Sequence, residues 1–201
     1  MSPSKANYHH GDLRAACVSA AMELLEESGK AALSLRAVAR RAGVSPAAPY
    51  RHYADREALV SAVAARGYRE LAERLVAAHP SPSTPEQLTS VAVAYVQFAL
   101  ERPALFRIMF GEPCDRDNDE RNAATAAVSQ YLREIVGRVF PEADAEAMAT
   151  ATWALVHGLA FLHLEGKLDA PSPSAVAERV TAAIQALLTG AAMAERSTPL
   201  G

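Results

Sequence analysis

The chain has 201 residues, half of them hydrophobic, a net charge of −3 and only two cysteines, enough for one domain or two small ones around a sizeable core. Two cysteines exclude a disulfide framework and a cysteine-built zinc site. No apolar run approaches the 18 or so residues of a membrane span, and the polar start MSPSKANYHHGD has no signal-peptide core, so a cytoplasmic protein with no membrane contact is expected.

The charge is unevenly spread. Residues 1–56 carry eight cations (Lys5, Arg14, Lys30, Arg36, Arg40, Arg41, Arg51, Arg56) against five acids (Asp12, Glu23, Glu26, Glu27, Asp55). That excess of three leaves −6 for the remainder, and His9, His10 and His52 also fall in the basic part. Such asymmetry suggests a basic module attached to an acidic body, though an excess of three charges is a small one.

Nearly every segment predicts helix. Leu13, Cys17, Ala20, Ala21 and Leu24 recur at helical spacing up to a stop at Gly29, with Cys17 on the apolar face as a buried thiol. Ser34 opens a short second stripe through Leu35, Val38, Ala39 and Ala42. After Gly43, Ser45 reads as an N-cap with Pro46 at the first helical position, where its missing N–H costs nothing. Asp55 caps a long helix through Ala78, about 36 Å of rod able to join two modules. HPSPSTP (79–85) is the clearest break, and Thr84 to Gln87 has capping-box spacing. Helices follow to about Arg102, over ALFRIMF, and over about 122–139, 142–165 and 173–192. The fold class is all-α. Expected domains are 1–56 and 57–195, joined by the helix 55–78, with a tail at 196–201.

The stretch LSLRAVARRAGVSPAAPYRHYADREAL (33–59) carries the chemistry. A helix that lies deep in a DNA major groove needs a thin leading end, and Pro46, Ala47, Ala48 and Pro49 supply one. Pro49 falls where an amide normally begins to bond backward, so the helix must be short and locally distorted. Tyr50, Arg51 and His52 then offer a hydroxyl, a guanidinium and an imidazole suited to phosphate oxygens. Arg56 and the amides of the next helix offer a further phosphate site. Tyr50 and Tyr53 also fit as plain core aromatics.

At these residues the sequence resembles the TetR family of bacterial transcriptional regulators. The signature stands here as GVSPAAPYRHYADREAL, with Pro49 where the family usually has Leu or Ile. TWALVHGLAFLHLEGKL and RPALFRIMFGEP resemble the WHG regulatory subgroup, through Trp153, His157 and Gly158. The resemblance implies an N-terminal helix-turn-helix domain and a helical domain for ligand binding and dimerisation. It assigns phosphate contacts to Ser34, Tyr50, His52 and Arg56, and base-edge contact to Arg36. Pro46, Ala47, Ala48 and Arg51 would face the groove, and Lys5 on the arm would add a backbone or minor-groove contact. Val38, Ala39 and Val44 would pack the helices.

In the acidic body, Ala147, Ala151, Ala154 and Gly158 form a small-residue ridge, and Val176, Val180, Ile184, Leu187 and Ala191 a stripe on the last helix. By resemblance these pair with their copies in a four-helix dimer interface. The same ridge also fits an intramolecular core. Tyr95, Phe98, Phe106, Met109, Phe110, Trp153 and His157 are candidate ligand-pocket residues, since small-molecule sites are mostly apolar with a few polar groups. Such stripes also describe ordinary core, and His157 a core histidine bonded to a carbonyl.

No catalytic, metal or cofactor site is expected. Asp115, Asp117 and Asp119 start like a calcium loop, but Glu120 replaces the glycine at position six and Ala126 the glutamate at twelve. His157 and His163 are about 240° apart around a helix, and no nucleophile elbow or phosphate loop occurs. The expectation is therefore no enzyme, but a homodimeric repressor of a palindromic double-stranded operator, released by a small apolar or amphipathic effector. The alternative is a regulator without a small-molecule ligand, controlled by abundance or a protein partner.

Overall fold

The computed structural model describes residues 13–111 and 118–196, with side chains through residue 188. Lys5, His9, His10, Cys114, Asp115, Asp117 and the side chain of Ala191 lie outside the described residues. Eight α-helices and no strand occur among those described: α1 Leu13–Ser28, α2 Leu35–Arg41, α3 Arg56–Ala78, α4 Pro85–Glu101, α5 Pro103–Gly111, α6 Asp119–Val139, α7 Ala145–Leu164 and α8 Pro173–Arg196.

Helix ends follow the side chains that cap them. Ser34 accepts from the Ala37 amide and Asp55 from the Ala58 amide, each satisfying one orphan donor of a first turn. At Thr84 the box is shifted: the hydroxyl accepts from Gln87, but the Gln87 carboxamide accepts from Ser83. Capped by Asn118, α6 begins three residues before its predicted start, and α7, capped by Asp144, begins three residues after its own. Gly43, at φ 67°, ends α2 in a left-handed turn, with Val44 N–H bonded to Ala39 O and Gly43 N–H to Arg40 O. This is the Schellman closure, and glycine adopts its φ at no steric cost.

The predicted helix at Pro46 is not an α-helix. Residues 46–47 form a turn, and Pro49–Arg51 a single 3₁₀ turn. Pro49 has no N–H to return to Ser45, so an α-ladder cannot pass it; Ala48 instead bonds Ser45 O at 2.9 Å.

α3 is the axis of the molecule. Leu59, Val63, Leu71 and Leu75 are fully buried on it, and it packs on α1 at one end and on α4, α5 and α6 along its length. Gly67 lets α5 come close, since a Cβ there would stand 2.6 Å from Met109 Sδ. α4 lies between α3, α7 and α8. Cys17 is buried in the N-terminal core, where desolvation pushes its thiol pKa up.

Two sequence expectations change here. α7 is long and apolar enough to cross a membrane by length and composition, though a third of its most apolar window is buried inside the chain. Val176, Val180 and Ile184, expected at a dimer interface, are at most 2% exposed within one chain, on a helix that packs mainly on α4. Their periodicity is that of an inward face. The outward face of α8 is instead Ser174, Glu178, Ala182, Gln185 and Ala186, with Leu187 half-buried.

Candidate DNA-reading surface and ligand cavity

α1, α2 and the 3₁₀ turn form a small three-part unit. Arg41, in the last turn of α2, pairs with Glu23 and Glu27 of α1, which keeps Glu27 ionised to lower pH than usual. Tyr53, buried just past the 3₁₀ turn, donates its hydroxyl proton to the Arg14 carbonyl of α1 at 3.1 Å. Burial pushes its phenol up to about 12, so it stays a donor throughout the physiological range. Tyr53→Phe should therefore lower unfolding stability by about 1 kcal/mol, through loss of the hydroxyl's bond to α1. Denaturant titration checks this.

The expected DNA contacts separate into two groups. Ser34, Arg36, Pro46, Ala47, Tyr50, Arg51 and His52 are all exposed, Tyr50 by 52%. The Arg36 and Arg51 side chains make no hydrogen bond or ion pair among the described residues, so their guanidiniums are available to an outside anion. Arg40 shares this state one helical turn after Arg36, a candidate the sequence reading missed although the i, i+4 spacing signals it. Ala48 and Arg56 fall in the second group. Ala48 points into the core beside the buried Pro49, because the tighter 3₁₀ turn rotates it away from the outer face. Arg56 folds back, its Nε donating to Leu33 O at 3.0 Å and Nη2 to Lys30 O at 3.3 Å. It fastens the start of α3 to the α1–α2 connection, with Nη1 outside these two bonds.

A cavity of about 250 Å³ opens between α3, α4, α5, α6 and α7. Tyr68, Tyr95, Phe110 and Trp153 are its aromatic walls, and Val128, Leu132 and Ala149 its aliphatic ones. Three of the expected pocket residues, Tyr95, Phe110 and Trp153, line it. Phe98, Phe106 and Met109 do not: all three are core, with Phe106 stacked edge-on beneath Tyr95 and Met109 against α3. Aromatic spacing on α4 and α5 marks both faces of these buried helices, so it does not tell wall from filler. Tyr68, Thr125, Ser129, Arg133, Glu146 and Thr150 are lining residues the sequence reading missed. Thr125, Val128, Ser129 and Leu132 do form one helical stripe on α6, the signal that was available.

His157 stands behind the wall. Its Nδ1 lies 2.9 Å from the Tyr95 hydroxyl, which also accepts from Trp153 Nε1 at 3.3 Å. With His157 in the Nε2-protonated neutral tautomer, Nδ1 accepts the Tyr95 proton, and the polar hydrogens of Tyr95 and Trp153 are both paired. Phe106, Phe110, Trp153 and Phe161 also surround the ring at centroid distances of 4.7–5.7 Å. Burial lowers its pKa below the ordinary 6.5 and raises that of Tyr95. The unfolded chain therefore binds a proton at His157 more readily than the folded one. Stability should fall as pH drops through about 6.5 and level off below the lowered pKa; above 6.5 this group contributes no slope. His157→Gln should remove that part of the slope in a Tm series across this range.

Among known proteins, the family described as "Bacterial regulatory proteins, tetR family" matches residues 18–63, and "Tetracyclin repressor-like, C-terminal domain" matches residues 88–195. A solved structure of a protein of unknown function from Rhodococcus sp. RHA1 is 34% identical, with a TM-score of 0.79 over 92% of this chain and 98% of that one. A tetR-family bacterial regulatory protein from Rhodococcus RHA1 has a TM-score of 0.64 at 24% identity, covering 85% and 94% of the two chains. The HTH-type transcriptional regulator BetI of Rhizobium meliloti (strain 1021) is 29% identical over 154 residues, 73% of this chain and 75% of that protein. Helix-turn-helix, exposed cations and helical body are those of a DNA-binding transcriptional regulator. The chain belongs to the TetR family.

Proposed function

We propose that the protein is a homodimeric repressor, released from a two-fold-symmetric operator by a small apolar or amphipathic effector. The cavity carries this reading and favours it over control by abundance or a protein partner alone. Its volume of about 250 Å³ sits just below the ~300–1,000 Å³ usual for ligand pockets, so the ligand is small. The hydroxyls of Thr125, Ser129 and Thr150 are spent on carbonyls of their own helices, and that of Tyr95 on His157. Such walls accept an apolar or aromatic body. Arg133 and Glu146 are exposed lining residues with no side-chain hydrogen bond or ion pair among the described residues, which suits a polar head near the opening.

The dimer reading rests on the outer face of α7. Ala147, Ala151 and Ala154 are exposed, Gly158 is half-buried, and Leu162 is 43% exposed one turn further on. These residues let a second helix approach closely, with Ala182 and Ala186 of α8 available to the same contact. Two copies so joined would place their reading segments in successive major grooves, about 34–36 Å apart. An effector that binds better to a form with another spacing shifts the population toward it. A coupling of ~1–3 kcal/mol changes occupancy about 5–150-fold.

Selection of bound duplexes from a random library, read by sequencing, tests the proposal. A two-fold-symmetric consensus is expected. Compounds that raise the Tm of the protein should then weaken binding to that consensus at fixed salt. No enrichment at low salt, or effectors that stabilise the protein yet leave the duplex bound, would overturn it.

A further inference from the structure

The Glu120 carboxylate bridges α6, whose residues line the cavity, to α1 of the DNA-reading unit. Glu120 lies in the first turn of α6, where the helix N-terminus favours a negative charge. Its Oε1 accepts from Arg69 Nη1 of α3 at 2.8 Å, and its Oε2 from Arg14 Nη2 of α1 at 2.5 Å. Both helices behind the carboxylate also form the cavity. α6 supplies Thr125, Val128, Ser129, Leu132 and Arg133, and α3 supplies Tyr68, the residue next to Arg69. On the other side, Arg14 is the residue whose carbonyl receives the Tyr53 hydroxyl, directly after the 3₁₀ turn and His52. The bonded path is therefore α6, Glu120, Arg14, Tyr53, reading segment. α1 packs chiefly on α2, α3 and α5, so its tie to α6 is electrostatic.

We propose that Glu120 is the positioning residue through which occupancy of the cavity reaches the DNA-reading segment, by holding α1 to α6 and α3 together. This rests on the effector reading above. A filled cavity pushes on α6, and a shift along or around α6 moves a carboxylate that has to serve two guanidiniums on two other helices. Keeping both bonds requires α1 to follow; losing the Arg14 bond frees α1 to tilt with Tyr53 attached. In either case the reading segment moves relative to α3. The three side chains are 31–50% exposed, so the bridge contributes little to stability and weakens with salt. Its role is transmission rather than strength.

The test needs no identified effector. Ser129→Phe fills the cavity from α6, and Thr150→Phe does so from α7 should the first variant fold poorly. Each is made in the full chain, alone and with E120Q, and titrated against the duplex recovered from the random library. In the parent protein the filled cavity should weaken duplex binding at least tenfold. With E120Q the same substitution should weaken it less than threefold, while the Tm of E120Q alone stays within a few degrees of the parent. Arg14→Gln should give the same loss of response as E120Q, and the two together no more. Equal weakening with and without E120Q would overturn the role of Glu120. No weakening from either filling substitution in the parent would overturn the effector reading, and this inference with it.

Discussion

Ala154→Arg should convert the protein to a monomer and lower affinity for the symmetric duplex by at least a hundredfold. Ala154 is exposed at the middle of the small-residue ridge of α7. In a dimer built on that ridge, a guanidinium there would be taken out of water with no acid facing it on its own helix, since Ala151 and Gly158 are its neighbours one turn away. An unpaired buried charge costs several kcal/mol, and each 1.4 kcal/mol is tenfold in association. Within one chain the side chain has open solvent to occupy, so the helix content and Tm of the monomer should hold. Sedimentation separates the two effects. A variant that remains dimeric with unchanged duplex affinity would move the interface to another face.

How far the sequence revealed the fold depended on whether a signal was local. Asp55, Thr84 and Gly43 act through bonds to residues three to five positions away, and each fixes a helix end at its predicted place. The motif was legible from its GVSPAAPYRHY signature, but the sequence left both Tyr50 and Tyr53 open as core aromatics; the structure exposes Tyr50 and buries Tyr53. Facing was harder to read. Val176, Val180 and Ile184 have the spacing of any apolar stripe, and only the position of α4 decides that they turn inward. Phe106 and Phe110 are one helical turn apart, yet one is filler and the other a cavity wall. Arg56 resembles a phosphate ligand in sequence because its preference for the Leu33 and Lys30 carbonyls emerges only when residues 23 and 26 positions apart meet. Glu120 stands out in sequence only as the wrong residue for a calcium loop, since its partners are 51 and 106 positions away.

The second large effect concerns how sequence is read. Arg36→Ala should flatten the preference at one base position of each half-site. A bidentate arginine–guanine contact discriminates by about 1–3 kcal/mol, and a symmetric dimer makes it twice. The loss on the best duplex should therefore be roughly 2–6 kcal/mol, with little change on a scrambled one. Arg36 has no hydrogen-bond or ion-pair partner among the described residues, so its removal leaves no internal group orphaned. Arg40 is the control. The first helix of such a motif crosses the DNA backbone, and Arg40 stands one turn further along it. Arg40→Ala should weaken all duplexes alike and lower the slope of log affinity against log salt by ~0.9 for each phosphate no longer neutralised. If Arg40→Ala relaxes the consensus while Arg36→Ala changes only the salt slope, α2 enters the groove by its later turn. The base contact would then lie one turn further along the same helix, at Arg40 instead of Arg36.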